Sequence, residues 1–72
     1  MSTYAHNFVA SEAVSRATYD DTSRILTITF RDDGKSYTYY NVPSSVWIEF
    51  THASSAGRYV QYRIKPYYSL RR

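Results

Sequence analysis

The chain has 72 residues, with nine Lys and Arg against six Asp and Glu and no cysteine, so it holds one small domain and a two-domain enzyme is excluded. Hydrophobic residues make up 43% and aromatics 18%, too much for a disordered chain, yet the apolar runs are far too short to cross a bilayer. Without cysteine, and with His6 and His52 as the only histidines, neither a disulfide nor a structural zinc site can be built, so packing must hold the core and no cofactor is expected.

Residues 1–8 lack the basic start and apolar stretch of a secretory signal and show no periodic pattern. They are expected to form a flexible arm on a chain that stays in the cytoplasm. Residues 14–19 then form a first strand, and the polar cluster Asp20-Asp21-Thr22-Ser23 is the turn after it, because Asp and Ser side chains satisfy turn backbone locally. Pairing symmetrical about that turn sets Ala17 opposite Leu26 and Tyr19 opposite Arg24. It leaves Val14 either at a bulge or exposed on the outer face.

Residues 24–31 (RILTITFR) and 35–40 (KSYTYY) are both alternating, with Asp32, Asp33 and Gly34 between them. That is a β-hairpin. Taking Asp33-Gly34 as the centre of a type I′ turn, which needs positive φ at both residues, sets Phe30 opposite Tyr37, Thr29 opposite Thr38 and Ile28 opposite Tyr39. Leu26, Ile28, Phe30, Tyr37 and Tyr39 then share a core face. Ile25, Thr27, Thr29, Thr38 and Tyr40 share the other.

After the hairpin the period lengthens. Pro43 pre-sets φ for a helical turn, and Val46, Trp47, Phe50 and Ala53 recur at helical spacing, which predicts a helix over residues 43–52. Ser54 and Ser55 are N-cap candidates for a second helix whose buried stripe is Ala56, Val60 and Ile64, ending before Pro66. Gly57 inside it implies close approach to the sheet or to the first helix, since glycine there otherwise costs about 1 kcal/mol. The expected fold is α+β: a three-stranded antiparallel meander followed by two short helices packed on one face. The domain should run over residues 9–68, with residues 69–72 as a basic tail.

Charge is unevenly placed. Residues 1–49 sum to minus two and residues 50–72, which contain no acid, to plus five. On the second helix, Arg58, Tyr62 and Lys65 face away from the buried stripe, flanked by Tyr59 and Arg63, and Arg71 and Arg72 extend the cationic end. Tyr40, on the outer sheet face, is a further contact candidate. Arg grips phosphate while Tyr stacks on unpaired bases; the same two residue types dominate protein interface hot spots.

Catalysis is not expected. The carboxylate pairs Asp20-Asp21 and Asp32-Asp33 are explained as turn formers, no serine stands on a nucleophile elbow, and no glycine-rich run could cradle phosphate. His52, near a helix end, fits a favourable position by the last carbonyls better than a base or ligand.

The ordered pieces Val9-Ala10-Ser11, Tyr19-Asp20, Tyr37-Thr38-Tyr39, Asn41-Val42-Pro43, Val46-Trp47, Ser55-Ala56-Gly57 and Ile64-Lys65 resemble the KTSC domain, named for the C-terminus of some lysyl-tRNA synthetases. The resemblance covers roughly residues 9–68 and implies a small α+β fold and RNA binding. A second analogy, of size and charge layout, is to small phage-encoded proteins that dock on host RNA polymerase. Five basic residues in the last 23 are few for a nucleic-acid grip alone, and Arg outnumbers Lys seven to two, which favours a specific docked interface. The expected function is therefore that of a monomeric, non-enzymatic regulator. It would bind bacterial RNA polymerase through Arg58, Tyr59, Tyr62, Arg63, Lys65, Arg71, Arg72 and Tyr40, without membrane contact. The alternative is an RNA-binding module for tRNA or single-stranded RNA using the same basic end.

Overall fold

The alternating segments pair as antiparallel strands in the computed structural model, which describes residues 2–68 and, as backbone, Leu70 and Arg71. The chain is an α+β domain whose sheet has five strands rather than three: β1 (Thr3–Asn7), β2 (Val14–Asp20), β3 (Ile25–Phe30), β4 (Ser36–Tyr39) and β5 (Leu70–Arg71), each beside the next. Residues 3–7, expected as an arm, are the edge strand β1, paired Tyr4 to Tyr19 and His6 to Ala17. Backbone pairing with β2 holds this strand, and its side chains are mostly exposed, so no hydrophobic alternation announces it. Leu70 and Arg71, expected in a basic tail, pair with Tyr39 and Thr38; two residues are too few to carry a period.

Both hairpin loops solve the same problem in the same way. Asp20 pairs with Ile25 and, in the second hairpin, Phe30 N–H donates to Lys35 O at 2.9 Å while Gly34 N–H donates to Phe30 O at 3.0 Å. Each loop thus ends on a residue in the left-handed region, Arg24 at φ 60° and Gly34 at φ 71°. Asp33 is not in that region, so the type I′ turn does not form and the register moves by two: Ile28 faces Tyr37 and Leu26 faces Tyr39. The first hairpin shifts likewise, with Ala17 opposite Ile28 and Tyr19 opposite Leu26. An even shift leaves every side chain on its expected face. Of the two options for Val14, the bulge is realised: the register slips between Val14 and Arg16, and Val14 is fully buried.

The first helix, α1 (Ser44–His52), starts after Pro43 as expected, although no serine side chain caps it. Ser55 does cap α2 (Ala56–Tyr59), its Oγ accepting from the Arg58 N–H. The chain then continues as a π-helical turn, Val60–Ile64, closed by a Lys65 N–H bond to Val60 O at 2.8 Å. Helices and sheet bury one core between them, in which Trp47, Phe50, Ala56, Val60 and Ile64 meet Tyr19, Leu26, Ile28 and Tyr39. Tyr19 stacks on Trp47 with ring centroids 5.7 Å apart. Phe8 and Val42, absent from the expected core, are buried too. Phe8 is held over Phe50 at 4.8 Å, and the Arg31 guanidinium fixes its loop by donating to Phe8 O at 2.7 Å and Ser11 O at 2.9 Å. Gly57 does mark a close approach, but to that loop rather than to a strand or α1: a Cβ at Gly57 would lie 2.8 Å from the Ala13 Cβ.

Candidate binding face

Ala56, Val60 and Ile64 turn inward, so the opposite side of α2 and the π-helical turn is presented to solvent. Arg58, Tyr62, Arg63 and Lys65 are all exposed there. Tyr62 is 65% exposed and Tyr67, after Pro66, 71%.

Tyr59 is not part of that open surface. Its ring stacks on Phe50 at 5.8 Å, and its hydroxyl donates to Glu49 Oε1 at 2.8 Å. Burial, and then the bond to Glu49, push its phenol up to about 12, because both disfavour the phenolate. The same Glu49 oxygen lies 3.9 Å from Arg63 Nη2. Lys65 Nζ stands 6.0 Å from the centroid of the Phe30 ring, within reach of a cation–π attraction. Two of the expected cations therefore already have intramolecular company. Glu49 was not among the expected residues: it comes from α1, ten positions from Tyr59, and no local spacing signals the contact.

Tyr40, Arg71 and Arg72, also expected in the site, come from other parts of the chain. Tyr40 stands just past the end of β4 and is 39% exposed. Arg71 is placed only as a partner of Thr38 in β5, and Arg72 lies outside the described residues. His52 Nδ1 lies 2.8 Å from Ile48 O, within the last turn of α1.

Two open grooves flank the face. One, of about 710 Å³, runs between Lys65 and the end of the β3–β4 hairpin, floored by Phe30, Tyr37 and Tyr39. The other, of about 650 Å³, separates the 8–13 loop from the start of α2 and is bounded by Arg58 and Gln61. Among the described residues, no three His, Asp or Glu side chains come close enough to share a metal ion, and no helix is long and apolar enough to cross a membrane.

A protein of Tsukamurella paurometabola is 40% identical to the chain over 58 residues, covering 81% of this chain and 85% of that protein. The crystal structure of a KTSC domain protein from Yersinia pestis superposes with a TM-score of 0.86 at 31% identity, covering 99% of this chain and 97% of the other. The family model for the KTSC domain matches residues 10–68, nearly the span over which the sequence resembled it, and the chain belongs to the KTSC domain family.

Proposed function

We propose that the chain is a non-enzymatic docking protein whose partner is bacterial transcription machinery, most concretely RNA polymerase. The observation that supports docking is the exposure of Tyr62 and Tyr67 beside Arg58, Arg63 and Lys65. Tyr and Arg gain most when a partner dehydrates them. With Arg63 near Glu49 and Lys65 near Phe30, fewer cations remain to release counterions from a phosphate chain. The choice of RNA polymerase rests on the size and charge layout shared with small phage regulators.

The second reading, binding of tRNA or single-stranded RNA, is favoured by the acid-free cationic stretch that begins at Arg58. Capture from bacterial lysate with and without nuclease separates the two. Docking requires a protein partner that survives nuclease treatment and is lost with Arg58→Ala/Tyr62→Ala; partners recovered only through intact RNA would select the RNA module instead.

A further inference from the structure

The sheet ends on β1, and among the described residues no strand pairs with its outer edge. Strand edges are usually blunted by shortness, Lys, Pro or a bulge; β5, at the other end, is two residues long and contains Arg71. β1 has five residues, Thr-Tyr-Ala-His-Asn, none of these devices and an unbroken register with β2. The Phe8 N–H donates to Ser15 O and the Asp21 N–H to Ser2 O, so alternation turns the backbone groups of the even-numbered residues toward β2. The N–H and C=O groups of Thr3, Ala5 and Asn7 point outward.

We propose that this edge is a self-recognition surface on which two copies of the chain pair antiparallel, with the two-fold axis at Ala5. The strand is self-complementary in that register. Ala5 faces Ala5 of the second copy in a reciprocal hydrogen-bonded pair, and Thr3 faces Asn7 on either side, giving about six backbone hydrogen bonds. Tyr4 faces His6 of the second copy at a non-hydrogen-bonded position, where opposing side chains lie closest. Both lie on the helix side of the sheet: Tyr4 is opposite the buried Tyr19, and the His6 ring is edge-on to Phe8 at 4.6 Å. Tyr4 is 45% exposed, and pairing would cover its open side with an aromatic ring, extending the Phe8–Phe50 aromatic row across the two-fold. No formal charge stands in β1 at neutral pH with histidine neutral, so like charges do not oppose the pairing within the strand. A single pair of five-residue strands is a small interface beside those of stable complexes, and association is expected in the high-micromolar range.

Ala5→Pro is the discriminating variant. It removes an outward donor and no bond to β2, as an edge position tolerates. Sedimentation equilibrium from low-micromolar to near-millimolar protein should show the wild type rising toward twice its 8.4 kDa, while Ala5→Pro stays at monomer mass with an unchanged far-UV spectrum. Hydrogen exchange on the wild type supplies a measurement independent of that variant's folding: the amides of Thr3, Ala5 and Asn7 should gain protection as concentration rises. A wild type that remains monomeric throughout, or outward amides that exchange at the same rate at every concentration, would overturn the proposal.

Discussion

The Tyr19 hydroxyl, inside the core, donates to the backbone carbonyl of Val42 at 2.6 Å. Twenty-three positions apart, these residues tie β2 to the segment that turns out of β4 into α1. The turn itself uses Asn41 at φ 60°, and Val42 N–H is held by Arg24 O at 3.0 Å. Tyr19→Phe keeps the ring on Trp47 but strands a buried carbonyl, which costs about 1–3 kcal/mol. Thermal denaturation should show a Tm lower by about 5 °C or more.

The tyrosines also set the alkaline limit of the fold. Burial raises the phenol pKa of Tyr19, Tyr39 and Tyr59, that of Tyr59 to about 12, whereas an unfolded tyrosine ionises near 10. Above about pH 10 the folded chain therefore holds protons that the unfolded chain has released, so stability is full below that pH and falls as pH climbs toward 12. Urea midpoints measured from pH 8 upward should decline over this window, and Tyr59→Phe should make the decline shallower.

Gly57 meets Ala13 rather than open space. Gly57→Ala gains helix propensity but forces two methyl groups into one position, and overpacking of that kind costs about 1–3 kcal/mol. Against a propensity gain of about 1 kcal/mol, the net loss should be at most about 2 kcal/mol by chemical denaturation. Ala13→Gly in the same chain should recover most of it, a coupling that a purely local helix effect would not produce.

Glu49 restrains the binding face. Glu49→Gln removes the carboxylate beside Arg63 while keeping an acceptor for the Tyr59 hydroxyl. If the partner is an acidic protein surface or RNA, affinity should rise several-fold in fluorescence anisotropy. Tyr62→Ala should weaken either kind of binding by about 1–3 kcal/mol with little change in Tm, since that ring is mostly solvated.

What the sequence discloses follows the strength of local periodicity. The faces of β3 and β4, the bulge option at Val14, the Trp47 and Phe50 stripe and the Ser55 cap all come from patterns within a few residues. The β3–β4 register differs by two because Gly34 alone takes a left-handed conformation, whereas the Asp-Gly rule assumes a pair; the β2–β3 register differs by two because the loop runs over residues 21–24, closing on the left-handed Arg24, rather than over 20–23. Strands β1 and β5 escape notice because one is solvated and the other brief. Within the binding face, Tyr62 and Arg58 are where helical spacing puts them, but Tyr59 belongs to the Phe50 stack through Glu49, a carboxylate that only tertiary structure brings near.

The wide turn at Val60–Ile64 has a consequence for how chain length and surface aim are linked. A helix that spaces its bonds five apart holds one residue more than an α-helical turn needs, and Val60 and Ile64 would still share a side if they stood three apart. Excising Gln61 should therefore leave the interior intact while swinging the following exterior ring by roughly 100°. Relatives differing by a single deletion at this point would keep the scaffold and yet address a differently oriented target.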